Sequence, residues 1–193
     1  MKAILFILAC FMALFFVIPS FGGTILSKNQ QLILQKAYNA GTLVGWPLTM
    51  EAIVWQESSL GKYRIGDDGK SLGLANVQVQ TARIIIKQNS WLPQYTTNYS
   101  IARALLHNDE INLLIASIYF RNCYNQFKNW PQALICYNGG PQTATNWGRR
   151  NAENFPYVIT IRKRLEEIRQ LPVKDNFYGQ QPPAISPIPA INP

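Results

Sequence analysis

The sequence predicts a mainly α-helical single domain interrupted by a short irregular or β excursion. Apolar residues recur at helical spacing in successive segments through the middle of the chain. Residues 62–76 break this pattern, because Gly66-Asp67-Asp68-Gly69 is too rich in turn-forming residues for a long helix. A chain of 193 residues, of which 48% are hydrophobic, is long and apolar enough for one domain with a sizeable core.

The expected helices are each bounded by glycine, proline or a polar capping residue. They are Leu26–Ala40, Leu48–Ser58, Thr81–Gln88, Ser100–Leu106, Asp109–Tyr124, a helix from Trp130 to the Asn138-Gly139-Gly140 turn, and Asn151–Leu171. The Asp109–Tyr124 segment is strongly apolar, and we expect it to be the central core helix, with Asn108 in its N-cap. The paired glycines at 139 and 140 permit the left-handed backbone that ends many helices.

Both ends of the chain differ from this body, residues 23–171. Residues 1–22 are typical of a secretory signal peptide, with a basic start, an apolar run over Ala3–Ile18 and small residues before a cut after Gly22. That run is shorter than the roughly 20 residues that span a bilayer, and an uncleaved anchor is the alternative. We therefore expect an exported protein of the periplasm or cell envelope. Residues 172–193 are rich in proline and predict a flexible tail.

The net charge favours a polyanionic partner. The formal charge is +8 and the pI about 9.5, which suits an acidic cell-wall polymer, an anionic membrane surface or nucleic acid. No dense run of Lys and Arg interleaved with aromatic residues is present, so we expect no nucleic-acid partner.

Two cysteines remain once the signal peptide is removed, Cys123 and Cys136. An even number of cysteines in an exported protein predicts a disulfide, and two buried free thiols are the alternative. His107 is the only histidine and lies near neither cysteine in the sequence, so we expect no metal site.

Glu57 is the strongest candidate for a catalytic group. It comes at the end of the helix predicted over Leu48–Ser58, after the apolar run Ala52-Ile53-Val54-Trp55. An apolar setting disfavours the charged form of a carboxyl and raises its pKa, as a general acid working near neutral pH requires. A solvated surface carboxylate is the alternative. A polar, glycine-containing segment, Ser71–Ala82, follows.

Three segments resemble the signature segments of the lytic transglycosylase SLT domain, a lysozyme-like family that cleaves peptidoglycan. They are Glu57-Ser58-Ser59-Leu60, Ser71-Leu-Gly-Leu-Ala-Asn-Val-Gln-Val-Gln-Thr-Ala82 and Ala133-Leu-Ile-Cys-Tyr-Asn-Gly-Gly140. They match the family's Glu-Ser, Gly-Leu-Met-Gln with Thr-Ala, and Ala-Tyr-Asn-Gly in order and spacing, and residues 152–158 resemble its later Tyr-Val segment. The resemblance covers roughly residues 45–165 and implies a lysozyme-like fold.

The resemblance also implies a mechanism that needs no cofactor. By this resemblance Glu57 would be the sole acid and base: it would protonate the oxygen between N-acetylmuramic acid (MurNAc) and N-acetylglucosamine (GlcNAc), and then accept the proton of the muramoyl 6-hydroxyl as a 1,6-anhydro ring closes. Glu51 points away around the helix, and Asp67 and Asp68 are interpreted as turn residues. A lysozyme-type hydrolase, which uses two carboxylates, remains open. Two further alternatives also remain open: a wall-binding module with a decayed site, and a helical scaffold without enzymatic activity.

The implied substrate contacts are Ser58, Tyr137, Asn138 and Tyr157, together with one amide from the central segment. An ungapped alignment puts Asn76 where the family has glutamine, and Gln78 would take that role after a two-residue shift. Cys136 replaces the usual alanine before Tyr-Asn. Four tryptophans, Trp46, Trp91, Trp130 and Trp147, are either sugar-stacking or core and rim residues. We expect a monomer that binds peptidoglycan glycan strands and serves a secretion, conjugation or pilus machine, or phage entry.

Overall fold

Seven α-helices and a small antiparallel sheet make up the part of the chain that the computed structural model describes, residues 25–171. The predicted signal peptide and the proline-rich tail lie outside the described residues. The elements are α1 Lys28–Thr42, α2 Pro47–Ser58, β1 Ile65–Gly66, β2 Ser71–Leu72, β3 Val77–Gln78, α3 Val79–Gln88, α4 Asn98–His107, α5 Asp109–Phe127, α6 Trp130–Asn151 and α7 Pro156–Arg169. None of the helices within 25–171 is long and apolar enough to cross a membrane.

Helix α2 lies inside the domain, between α1 and α7. Pro47 occupies its first turn, where the missing backbone N–H costs no hydrogen bond. Met50, Ala52, Ile53 and Val54 have no exposed surface. A helix that is apolar on all sides is stable only when it is covered on all sides, so the sequence of α2 determines its central place.

Helix α5, which the sequence predicted to be the central core helix, contributes many buried side chains to the core beside α2. The side chain of Asn108 caps its first turn by accepting a hydrogen bond from the backbone N–H of Ile111 at 3.0 Å. Phe120 is fully buried. Near its end, α5 is joined to α6 through Cys123 and Cys136, whose sulfur atoms are 2.05 Å apart. The cysteine bridge fixes the turn of α6 that precedes Tyr137 against α5.

The excursion between α2 and α3 is a three-stranded antiparallel sheet in the order β1-β2-β3. Gly73, in the turn after β2, packs directly on α4 and α5. A Cβ atom there would meet Asn112 Nδ2 at 2.1 Å and the carbonyl oxygen of Leu105 at 2.3 Å, and its φ of +84° also favours glycine. The Arg64 guanidinium, before β1, bonds to the Asp109 carboxylate at the start of α5 with an N–O distance of 2.5 Å.

The last part of the helical body differs from the sequence expectation. The backbone leaves helical geometry at Gly140 (φ 83°, ψ 165°), as the glycine pair predicted, but helical structure resumes after it and runs to Asn151 with a second break at Gly148. A short 3-10 turn follows, so the final helix begins at Pro156 and not at Asn151. Proline is favoured in the first turn of a helix, and this signal was missed.

Candidate active site

A cleft of about 710 Å³ separates the sheet and α3 from α5 and α6, and Glu57 lines it. One wall comes from the sheet region and α3: Asp67, Ser71, Asn76, Val77, Gln78, Thr81, Ile84, Ile85 and Gln88. The opposite wall comes from α5 and α6: Tyr119, Asn122, Tyr137, Asn138, Gly139, Gly140 and Pro141. The three segments singled out in the sequence therefore meet in one cleft. None of its lining residues is a tryptophan, so the aromatic surface comes from the two tyrosines.

Glu57 lies in the last turn of α2, and the chain leaves the helix immediately after it. Ser59 and Leu60 both adopt left-handed backbone, at φ 50° and 57°, which stops the helix beside the cleft. Ser58 holds this turn from within: its hydroxyl donates to the Val54 carbonyl at 3.2 Å and accepts from the Gly61 N–H at 2.9 Å. Ser58 is completely buried, so its side chain supports the helix end and does not reach the cleft.

The surroundings of Glu57 raise its pKa to about 7, from 4.5. Burial, which disfavours the carboxylate, is the largest cause, and the negative charge of Asp67 acts in the same direction. Hydrogen bonds from Tyr157 and Asn76 stabilise the carboxylate and oppose the rise. The carboxylate also lies at the negative end of the α2 dipole, which disfavours an anion there. Near neutral pH Glu57 therefore exists in both protonation states, so its carboxyl can either give up or accept a proton.

Tyr157, in the first turn of α7, holds the Glu57 carboxyl in place. Its hydroxyl donates a hydrogen bond to Glu57 Oε1 at 2.5 Å. Burial and the negative charge of Glu57 raise the pKa of Tyr157 well above its usual range, so the hydroxyl remains protonated and can donate. Tyr157 is only 9% exposed, so it lies behind the acid and not on the cleft surface.

Asn76 and Gln78, the two amides left open by the sequence, have different surroundings. Asn76 adopts left-handed backbone at φ 44°, and its Nδ2 donates to the backbone carbonyl of Glu57 at 2.5 Å. A Cβ atom on Gly66 would meet Asn76 Nδ2 at 3.2 Å, so a longer side chain at 76 has little room. Asparagine tolerates left-handed backbone far better than most residues, which explains its presence here. Gln78 is exposed and lines the cleft.

Tyr137 closes the cleft on the α6 side. Its hydroxyl donates to the Ala75 carbonyl at 2.8 Å, which connects α6 to the segment between β2 and β3. Tyr119 of α5 lies beside it, with ring centroids 5.6 Å apart, and donates to the Cys136 carbonyl at 3.1 Å. Asn138, the next residue along α6, is exposed and lines the cleft.

Asn112 is a supporting residue that sequence reasoning missed. It is fully buried in α5, where its Oδ1 accepts from the Ala75 N–H at 2.9 Å and its Nδ2 donates to the Leu72 carbonyl at 2.8 Å. These two bonds fix the segment that carries Asn76 against the core. A polar residue between Ile111 and Leu113 in an apolar helix was the available signal, because a buried amide needs partners.

The family model described as the transglycosylase SLT domain matches residues 31–157, well over half of the chain. The chain belongs to this family. The match confirms the mainly α, lysozyme-like fold expected from the sequence. A transglycosylase SLT domain implies a peptidoglycan lytic transglycosylase with peptidoglycan as its substrate. A search of curated proteins finds no match to the chain.

Proposed function

We propose that this SLT-domain protein cleaves the β-1,4 bond between MurNAc and GlcNAc and closes a 1,6-anhydro ring on MurNAc, with Glu57 as its sole acid and base. The observation that carries the proposal is the Glu57 carboxyl at the wall of the cleft, where burial raises its pKa to about 7. Both protonation states of Glu57 are accessible at neutral pH, and the reaction needs both in turn.

The reaction proceeds in two proton transfers through one group. The protonated Glu57 donates its proton to the glycosidic oxygen as the bond from the muramoyl C1 breaks, and GlcNAc leaves with a free 4-hydroxyl. Positive charge develops on C1 and the ring oxygen. The muramoyl 6-hydroxyl then bonds to C1 and gives its proton to the Glu57 carboxylate, which restores the acid. Tyr157 keeps the carboxyl aligned through both steps, because its hydroxyl donates to Glu57 Oε1.

The exposed polar side chains of the cleft supply the substrate contacts in this proposal. Gln78 and Asn138 lie on opposite walls of the cleft. Both side chains are exposed, which suits hydrogen bonding to sugar hydroxyl and acetamido groups. Tyr119 and Tyr137 offer aromatic surface to the sugar rings. Asn76 and Tyr157 act from behind this surface, through Glu57.

A lysozyme-type hydrolase is the second candidate, and the observation that favours it is Asp67. This carboxylate lines the same cleft as Glu57, although the sequence suggested only a turn there. Hydrolysing enzymes of this kind place two carboxylates about the scissile bond. A wall-binding module with a decayed site is the third reading, and the intact surroundings of Glu57 weigh against it.

Digestion of purified peptidoglycan separates these candidates. The proposal expects anhydro-muropeptides from the wild type and none from Glu57→Gln, because glutamine keeps the shape of the side chain but cannot give up or take a proton. Glu110→Gln is the control, since Glu110 is an exposed glutamate at the start of α5 and lies outside the cleft. Reducing-end products would establish hydrolysis. Strand binding without any cleavage by either the wild type or Glu57→Gln would establish the binding module.

We further propose that the protein is an exported monomer of the periplasm or cell envelope that opens the wall locally for a secretion, conjugation or pilus machine. The apolar N-terminal segment, the basic charge and the change of composition at Pro172 support this. Deletion of residues 172–193 tests the tail: recruitment to the machine should be lost while digestion of purified peptidoglycan continues. Unchanged localisation and partner capture would refute a tethering role.

A further inference from the structure

The turn between β1 and β2 directs a second carboxylate into the cleft. Asp67 lines the cleft together with Glu57. Its Oδ2 accepts a hydrogen bond from the Ser71 hydroxyl at 2.5 Å, and Ser71 is 3% exposed. A buried hydroxyl that donates to one carboxylate oxygen fixes the direction of the group and leaves the second oxygen for the cleft.

The backbone at this turn is left-handed at two successive residues. Asp67 and Asp68 have φ values of 47° and 53°, a region that aspartate adopts more readily than most residues other than glycine but that is still sparsely populated. Residues in sparsely populated backbone regions concentrate at functional sites, where the surrounding structure holds them. Asp68 shares the backbone conformation and is exposed, but it does not line the cleft. The turn therefore presents one of two adjacent carboxylates to the cleft.

The cleft is anionic although the chain as a whole is basic. Its lining includes Glu57 and Asp67 and, among residues 25–171, no Lys, Arg or His. Asp67 takes part in no salt bridge within the described chain. An unpaired carboxylate at the wall of a cleft attracts positive charge, and a sugar that loses its leaving group develops positive charge at C1 and the ring oxygen.

We propose that Asp67 is a second catalytic carboxylate of this cleft, which stabilises the positive charge on the muramoyl ring and transfers no proton. The inference rests on the proposed function, because it assumes cleavage of a glycosidic bond at Glu57. Asp67 also acts on Glu57 itself: its charge raises the pKa of Glu57 and keeps the acid protonated before the bond breaks. Both effects favour the start of the reaction, whichever nucleophile completes it.

The other groups facing Glu57 do not duplicate this charge. Tyr157 from α7 and Tyr137 from α6 have pKa values raised well above their usual range, chiefly by burial, so both are neutral. Asn76, which follows β2, is an uncharged amide. Among the described residues that face Glu57, Asp67 is therefore the one that brings a negative charge.

The test compares Asp67→Asn with Asp68→Asn in the full chain. Each removes one negative charge from the same turn, and asparagine tolerates left-handed backbone at both positions. Rates of muropeptide release are measured across a pH series, together with melting temperatures. A ¹³C NMR titration of the Glu57 carboxyl reports its protonation without requiring activity. Ser71→Ala, which keeps the charge of Asp67 but removes the hydrogen bond that directs it, is the second variant.

Asp67→Asn is expected to lower kcat about tenfold or more. It should also move the alkaline limb of the pH profile, and the Glu57 titration, to lower pH, because loss of the neighbouring charge lowers the pKa of Glu57. Asp68→Asn should leave both unchanged, and Ser71→Ala should lower kcat less than Asp67→Asn. The inference would be overturned if Asp67→Asn had the wild-type kcat and the wild-type Glu57 titration. It would also be overturned if Asp68→Asn changed both quantities as much as Asp67→Asn does. If Asp67→Asn does not fold, an unchanged kcat in Ser71→Ala overturns it.

The experiments distinguish an error in the proposed function from an error in the role of Asp67. A Glu57→Gln chain that digests peptidoglycan at the wild-type rate would refute Glu57 as the acid. An inactive Glu57→Gln chain beside an unaffected Asp67→Asn chain would refute the role of Asp67 alone.

Discussion

The Tyr157 hydroxyl donates a hydrogen bond to Glu57 Oε1 at 2.5 Å, and this contact joins α7 to the end of α2 across 100 residues of sequence. Tyr157→Phe removes the bond and leaves the ring. Because the bond stabilises the carboxylate and so lowers the pKa of Glu57, its loss should raise that pKa further. We expect kcat to fall about tenfold, and the alkaline limb of the pH profile to move to higher pH.

The control for this change is Tyr99→Phe, at a tyrosine that is 76% exposed and lies outside the cleft. It should have the wild-type kcat and pH profile. A Tyr157→Phe profile with its alkaline limb in the wild-type position would contradict a hydrogen bond to the acid.

The raised pKa of Glu57 should cost stability, and the sign follows from proton binding. The folded pKa is about 7 and the reference value is 4.5, so between these pH values the folded chain retains a proton that the unfolded chain has lost. The free energy of unfolding therefore falls as pH rises from 4.5 to 7. The pKa shift of Glu57 corresponds to a loss of about 3 kcal/mol in the free energy of unfolding, and this loss is complete above pH 7.

Glu57→Gln should remove this cost, because glutamine is neutral at every pH. The variant should be more stable than the wild type by up to about 3 kcal/mol at alkaline pH and equally stable at acidic pH. Urea unfolding of both chains below, within and above the window checks this. A stability difference that stays constant across the three conditions would point to a packing effect.

Asn112 should matter for both stability and activity, since it supports the segment between β2 and β3. Asn112→Ala leaves the Ala75 N–H and the Leu72 carbonyl buried without their partner. Each lost bond of this kind costs about 1–3 kcal/mol, so we expect a loss of about 2–5 kcal/mol in urea unfolding and a lower kcat/KM. Asn125→Ala, an exposed position on the same helix, should change stability by less than about 0.5 kcal/mol. Equal stabilities for the two variants would remove Asn112 from this role.

The amides at 76 and 78 should respond differently to substitution. Gln78→Ala should raise KM with little change in melting temperature, because the side chain is exposed in the cleft. Asn76→Gln should lower the melting temperature and kcat, because a longer side chain must fit beside Gly66 on left-handed backbone. Gln80→Ala, exposed two residues further and outside the cleft, is the control. A KM that rises for Asn76→Gln but not for Gln78→Ala would reverse the assignment.

Much of the helical body was predictable, because its signals are local. The break at Gly140, the cap at Asn108 and the burial of α5 all follow from residue type and spacing. Ile84 belongs to the apolar run of α3, but it is 55% exposed and lines the cleft. Helical spacing identifies the apolar residues but does not show that one of them faces a second, functional surface.

The orientation of the candidate contact residues was harder to predict, because it depends on which side of Glu57 each side chain occupies. Ser58 follows the acid in the sequence, and its side chain points into the core instead. Tyr157 faces the acid from behind the cleft. The sequence motif identifies these residues, but the packing of the helices determines which way their side chains point.

The sequence by itself determined the family, the helical body and Glu57 as the candidate acid, because motif order, apolar spacing and a carboxyl after an apolar turn are properties of neighbouring residues. Only the tertiary structure brought Tyr157 and Asp67 to that carboxyl and separated Asn76 from Gln78. The pKa of Glu57 depends on burial and on charges that long-range packing brings near it. Such distances are set when α2, α7 and the sheet pack together, and no local pattern in the chain encodes them.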